Sequence, residues 1–118
     1  MQKKESELQK SCVKWFRLQY PHYKMLLFSI PNGGQRNIIT ATRLKAEGAL
    51  AGVSDLFLSI PKKGFAGFYI EMKSGDNKLT EKQEDFFNAV QKFNYKTQVI
   101  RTFDQFTREI QFYLDYNL

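Results

Sequence analysis

Two apolar runs, Leu56–Ile60 and Phe65–Ile70, are separated by only Pro61-Lys62-Lys63-Gly64. Four residues containing proline and glycine suit a hairpin, which predicts that the runs are antiparallel neighbours in a sheet. The pairing also decides where the flanking charges go. Asp55 stands just before the first run and Glu71 just after the second, so a hairpin sets the two carboxylates side by side. Lys73, two residues on, shares the Glu71 face by strand alternation. Close carboxylates repel, and burial worsens the repulsion unless a cation intervenes. Oxygen donors of this kind suit Mg²⁺ or Mn²⁺, which keeps several waters and takes further ligands from phosphate. Singly, Asp55 also reads as a turn residue after Ser54, and Glu71 with Lys73 as a surface ion pair; the convergence of all three favours the chemical reading.

The rest of the chain supplies a frame for that hairpin. Leu8, Cys12, Trp15, Phe16 and Gln19 recur at helical spacing, predicting a helix from Glu5 to about Tyr20 that Pro21 stops. Lys24–Ile30 reads as a strand ended by the turn Pro31-Asn32-Gly33-Gly34, and about Thr40–Glu47 as a short helix capped by Gly48. Thr80 begins a helix to about Phe93, Thr97–Arg101 is a further strand, and Asp104–Tyr116 a last helix. The order α-β-α-β-β-α-β-α implies an α/β fold, a mixed sheet flanked by helices. Phe86, Phe87, Val90 and Phe93 are expected to pack in the core, as are Phe106, Ile110 and Tyr113.

With 118 residues, 42% of them hydrophobic and eleven of them Phe, residues 1–118 are expected to form one domain with one core. No run approaches the roughly 18 apolar residues of a membrane span, and the opening MQKKESELQK lacks the apolar segment of a signal peptide, so a soluble, cytoplasmic protein is expected. The single cysteine, Cys12, excludes an internal disulfide and a multi-Cys zinc site, and the single histidine, His22, argues against histidine-dependent catalysis. The net charge of +6 attracts polyanions, nucleic acid first among them.

Two polar residues outside the hairpin need separate argument. At about 100° per residue, Leu8, Cys12, Trp15 and Phe16 lie within roughly 80° of Glu5, whereas Glu7 projects about 200° away. Glu5 therefore belongs at the end of the buried stripe, able to reach inward, and Glu7 belongs to solvent. Thr80-Glu81-Lys82-Gln83 is a capping-box pattern, in which Gln83 reaches back to the Thr80 amide. The glycines after Pro31 expose backbone amides, and Arg36, Arg43 and Lys45 are nearby cations suited to phosphates, with Lys62, Lys63, Lys78 and Lys82 extending the basic surface.

These features together resemble the PD-(D/E)xK nuclease core and, more narrowly, a stand-alone, phage-type VRR-NUC domain. The resemblance is carried by Glu5 and Gln9, Ile30-Pro31-Asn32-Gly33-Gly34, Arg43-Leu44-Lys45-Ala46-Glu47-Gly48, Gly52-Val53-Ser54-Asp55, Glu71-Met72-Lys73 and Gln83. Ser54 departs from the proline usual in the superfamily. The resemblance implies a restriction-endonuclease-like fold and metal-dependent hydrolysis of DNA that leaves a 5′-phosphate. Asp55, Glu71 and the Met72 backbone carbonyl would ligate Mg²⁺ or Mn²⁺, with Glu5 a further candidate ligand. Lys73 would orient the attacking water and stabilise charge on the phosphorane, and Gln83 would help place water or phosphate. Gln9, Asn32, Gly33, Gly34, Arg36, Arg43 and Lys45 would contact DNA. A homodimer acting on duplex or branched DNA, such as a four-way junction, is implied as well, in the host cytoplasm if phage-encoded. A non-catalytic nucleic-acid-binding module with the same fold stands as the alternative, and a regulatory interaction protein as a third class.

Overall fold

The computed structural model describes residues 2–31 and 37–115. Among these, the helices are α1 (Lys3–Gln19), α2 (Ile38–Ala46), α3 (Glu81–Gln91) and α4 (Phe103–Asp115), and the strands are β1 (Leu27–Ser29), β2 (Leu56–Leu58), β3 (Gly67–Met72) and β4 (Tyr95–Ile100). The strands form one sheet in the order β1-β2-β3-β4. β1, β2 and β3 run antiparallel, whereas β3 and β4 are parallel and joined through α3. This is the mixed α/β arrangement that the element order implies.

Strand alternation divides the sheet into two unlike faces. Leu27, Leu56, Leu58, Phe68, Ile70, Met72 and Ile100 point to one side and meet Cys12 and Phe16 of α1 and Phe106, Ile110, Tyr113 and Leu114 of α4. Each fully buried apolar side chain of that size contributes about 1.5–3 kcal/mol, so this layer carries most of the stability. The one polar group it takes in is satisfied, since the Tyr113 hydroxyl donates to the Ile60 carbonyl at 2.6 Å. The opposite face carries aromatic rings: Phe28 lies edge-on to Phe57, which stacks on Tyr69 at 4.3 Å between centroids. Phe86 of α3 closes over Tyr69. Gly67 makes the stack possible, because a Cβ there would come within 2.8 Å of the Phe57 ring.

The elements differ from the sequence reading where local turn chemistry intervenes. The hairpin tightens around Lys63 and Gly64, both at positive φ, with Lys62 and Phe65 exchanging backbone hydrogen bonds of 3.1 and 2.7 Å. Pro61 has no N–H to give a ladder, so β2 ends at Leu58 and β3 begins at Gly67 rather than Phe65. β1 is likewise shorter than Lys24–Ile30, since Pro21–Tyr23 forms a 3-10 turn and Leu26 N–H still bonds back to the Tyr23 carbonyl. α3 stops at Gln91, and Asn94 takes a left-handed conformation to start β4 at Tyr95. Phe93 thereby leaves the helix and is 73% exposed, not a core residue.

Candidate active site

The hairpin register places the acids. Leu56 pairs with Ile70, so Asp55 stands opposite Glu71 on the face away from the main core. The Met72 N–H donates to Asp55 Oδ2 at 2.8 Å, which fixes that carboxylate against β3. N–H and C=O of one extended residue project to the same side of the strand, so the Met72 carbonyl faces Asp55 as well.

Glu71 is 3% exposed. Its Oε2 accepts from Gln83 Nε2 at 3.1 Å, while its Oε1, shielded from solvent, meets no donor. Burial, then the charge of Asp55 and a hydrogen bond shared with it, push the Glu71 carboxyl up to about 9; Glu5 adds repulsion, and Lys73 pulls the other way. This is the behaviour of two acids held together against their mutual repulsion.

Gln83 completes the capping box that the sequence suggests and also reaches Glu71. Its Oε1 accepts from Thr80 N–H at 2.9 Å and its N–H donates to Thr80 Oγ1 at 3.2 Å, completing the capping box. The remaining amide hydrogens are thereby aimed at Glu71. The loop before Asp55 is pressed on the same helix turn: Gly52 sits at φ +93°, and a Cβ there would fall 2.5 Å from the Lys82 carbonyl oxygen. Only glycine fits so close an approach. Ser54, two residues on, is fully buried, and its hydroxyl has no hydrogen-bond partner.

From the other face, α1 delivers Glu5. It is 7% exposed, whereas the Glu7 side chain is 62% exposed and pairs loosely with Lys10, as the helical projection requires. Glu5 Oε2 accepts from Ser74 N–H at 3.0 Å and from Ser74 Oγ at 3.3 Å. Burial works to raise the Glu5 carboxyl, but hydrogen bonds from the Ser74 and Gln2 backbones and the Ser74 hydroxyl, with the Lys73 charge, outweigh it and hold the group below its ordinary range. Lys73 itself is half-buried, its N–H donating to the Ile100 carbonyl at the end of β4.

The structure thus gathers Glu5, Asp55, Glu71, Met72, Lys73 and Gln83 at one end of β3. Gln9 lies one turn beyond Glu5, half-buried, its Oε1 without a partner. Arg43 and Lys45 are exposed on α2, a helix with no buried residue. Asn32, Gly33, Gly34 and Arg36 lie outside the described residues. Sequence reasoning missed Gln2, Ser74 and Asn77: Gln2 Oε1 accepts from Ser74 Oγ at 3.0 Å and from Asn77 Nδ2 at 3.4 Å, which braces the loop that holds Glu5. The one available signal was a polar residue directly after Glu71-Met72-Lys73. Arg101 adds a further brace through its 2.9 Å bond to the Gly75 carbonyl.

A divalent cation fits this donor set. Asp55, the unpartnered Oε1 of Glu71 and the Met72 carbonyl offer hard oxygen, and a cation would relieve the repulsion that raises Glu71. Among the described residues no three His, Cys, Asp or Glu side chains group closely enough to hold an ion by themselves. Backbone, water and phosphate oxygens would complete the shell, as is usual for Mg²⁺. Also among the described residues, no helix is long and apolar enough to cross a membrane.

A search of curated proteins returned no match. A solved structure described as a VRR_NUC domain protein superimposes with a TM-score of 0.81 at 24% identity, over 93% of this chain and 87% of that one, which speaks for the fold. The VRR-NUC domain family itself matches residues 1–104, a span that takes in the acids, Lys73 and Gln83. With that match over most of its length, the chain belongs to the VRR-NUC family of nuclease domains.

Proposed function

We propose that the protein is a DNA endonuclease that uses Mg²⁺ or Mn²⁺ to hydrolyse phosphodiester bonds, leaving a 5′-phosphate. The observation that carries this reading is the Asp55–Glu71 pair, in which Glu71 is buried with one oxygen unpartnered and feels the charge of Lys73. A chain that only binds nucleic acid gains nothing from burying an acid against a second one that repels it. When bound, the cation supplies Lewis acidity to the phosphoryl oxygens and lowers the pKa of water.

The chain's own groups do the rest. Asp55, held by Met72 N–H, and Glu71, held by Gln83, present their free oxygens in fixed directions, with Glu5 available on the α1 side. Lys73 turns an N–H toward the attacking water and offers positive charge to the phosphorane as it forms. Gln83 keeps the Glu71 rotamer because its own carbonyl is spent on the Thr80 amide. Phosphate contacts away from the reacting atoms fall to Gln9, to Asn32, Gly33, Gly34 and Arg36, and to Arg43 and Lys45 on α2.

The protein acts as a homodimer in this reading, on duplex or branched DNA such as a four-way junction, or by nicking. What supports a dimer is α2: Ile38 and Ile39 are 83% and 81% exposed, an apolar surface that a second copy would cover. The test is a cleavage panel of linear, nicked, flapped and four-way DNA with Mg²⁺, Mn²⁺ or EDTA, alongside light scattering. Asp55→Ala and Lys73→Ala should abolish cutting and keep salt-sensitive binding. A wild type that binds all of these and cuts none would be a binding module instead.

A further inference from the structure

α1 brings Glu5 to the end of β3, and a small polar cluster decides how that side chain is held there. Glu5 Oε2 accepts twice from Ser74, from its N–H at 3.0 Å and from its hydroxyl at 3.3 Å. The same hydroxyl stands 3.0 Å from Gln2 Oε1. A serine hydroxyl has one proton, so it cannot serve both acceptors at once. Asn77 resolves the competition. Its Nδ2 carries two hydrogens and lies 3.4 Å from Gln2 Oε1 and 3.3 Å from Ser74 Oγ. One hydrogen satisfies Gln2 and the other fills a lone pair of Ser74. The Ser74 proton is left for the acidic oxygen, the stronger acceptor of the two. The turn that carries these groups is itself fixed: Asn77 N–H donates to the Ser74 carbonyl at 3.2 Å, and Arg101 bonds the carbonyl of Gly75, a residue at φ +55°.

We propose that Ser74 is a positioning residue for Glu5, its hydroxyl proton directed there by Asn77 so that the carboxylate is held ready for the cation. Two observations favour this over a plain staple between helix and loop. Gln2 is the residue that precedes α1, yet its side chain makes no bond to the helix end and is engaged with Ser74 and Asn77 instead. Ser74 also follows Lys73 directly, so the cluster that orients the Glu5 oxygen fixes the stretch of chain that carries the amine. A hydroxyl adjusts by rotation, and can keep its bond as Glu5 turns toward a cation, where a backbone N–H cannot follow. Groups that hydrogen-bond a metal ligand set its direction, and removing them lowers metal affinity.

This deepens the nuclease reading and rests on it for a cation being bound, with Glu5 among its ligands. Free Mn²⁺, followed by its electron paramagnetic resonance signal without DNA, would give the affinity of wild type, Ser74→Ala, Ser74→Thr, Asn77→Ala and Asn77→Ala/Gln2→Ala. Urea titrations in EDTA would give the stability of each. Gln2 and Asn77 are exposed, so their variants should fold. Ser74→Ala should weaken Mn²⁺ binding by about tenfold, the low end for a group that fixes a ligand, because the Ser74 N–H remains. Ser74→Thr keeps the hydroxyl and should bind like wild type. Asn77→Ala should also weaken binding, by releasing the Ser74 proton to Gln2, and removing the Gln2 side chain as well should restore it. Rescue by a second deletion is not open to a brace that merely adds stability. Lower stability with unchanged Mn²⁺ affinity in Ser74→Ala would overturn the proposal, and so would a double variant no better than Asn77→Ala. A wild type that binds no Mn²⁺ would sink the nuclease reading and the proposal with it, whereas binding indifferent to Ser74 sinks the proposal alone.

Discussion

Replacing Glu71 by Gln should make the metal-free protein more stable and inactive at once. In the unfolded chain this carboxyl has a pKa of 4.5, and in the folded protein burial and Asp55 push it up to about 9. Between those values the unfolded chain has lost a proton that the folded one keeps, so folding stability falls as pH rises, by about 1.4 kcal/mol per pH unit. From 4.5 to pH 7 that amounts to about 3 kcal/mol, against a total of roughly 5–15 kcal/mol for a domain. The acid pair relaxes around its charge, so only part of this, ~2 kcal/mol, is what the substitution should recover at pH 7. The carboxamide introduced by Glu71→Gln keeps a carbonyl for Gln83 Nε2 and gains an amide to donate to Asp55. The corresponding rise in melting temperature is roughly 8 °C.

Trp15, packed edge-on against Tyr20, Phe103 and Phe106, reports unfolding by its fluorescence. Urea titrations in EDTA from pH 5 to 9 should show wild type losing stability toward pH 9 and the variant staying nearly flat. Millimolar Mn²⁺ or Mg²⁺ should restore the wild type above pH 7 and leave the variant unmoved, since a ligand stabilises only the state that binds it. Parallel pH profiles for the two proteins would refute the claim that Glu71 is held against repulsion.

Gly52→Ala should cost at least about 2 kcal/mol, because it combines a positive φ with a clash on the Lys82 backbone, and should slow cleavage by shifting Asp55 relative to Gln83; melts and single-turnover assays would show both. Ser54→Ala should stabilise the fold by about 1 kcal/mol in the same urea assay, removing a buried hydroxyl that has no partner. Glu5→Ala should lose about 1–2 kcal/mol at pH 7 together with cleavage, while Glu7→Ala changes stability by less than about 0.5 kcal/mol. The pH sense at Glu5 is opposite to that at Glu71: its carboxyl is held low, so its contribution is present at neutral pH and is lost as pH falls through the folded value. Cys12, fully buried with its thiol pushed up to about 12, should react with disulfide reagents only as fast as the protein opens globally.

How far the sequence could be read varied with the range of the interaction. The Asp55–Glu71 juxtaposition was legible because a four-residue connection leaves a hairpin little freedom, and register does the rest. Glu5 over Glu7 was legible because a helix of 17 residues has a strict period. The strand ends were not, since Pro61 and the left-handed pair Lys63-Gly64 shorten the ladder in ways that apolar patterning does not record. Phe93 misled for a related reason: the helical period continues on paper past Gln91, where the chain turns. The hold of Ser74 on Glu5 spans 69 residues and the Ser74–Gln2 bond that braces it spans 72, and nothing local announces either.

The places where the chain departs from ordinary folding rules lie together. Among the described residues, the buried side-chain polar atoms without a hydrogen-bond partner belong to Gln9, Ser54 and Glu71. One is a turn from Glu5, one adjoins Asp55, and one is a proposed metal ligand. Each costs stability that a purely structural sequence would recover by an apolar substitution. Their grouping at one end of β3, beside a carboxyl raised to about 9, is therefore evidence about the site rather than about the core, whose fully buried tyrosine hydroxyl is satisfied. It also sets the expected direction of change: at these positions, substitutions that stabilise the metal-free fold should weaken the binding of metal or DNA. In the main core layer no such opposition should appear, because Phe68, Ile70 and Ile110 belong to the apolar cluster and leave no polar atom unpartnered.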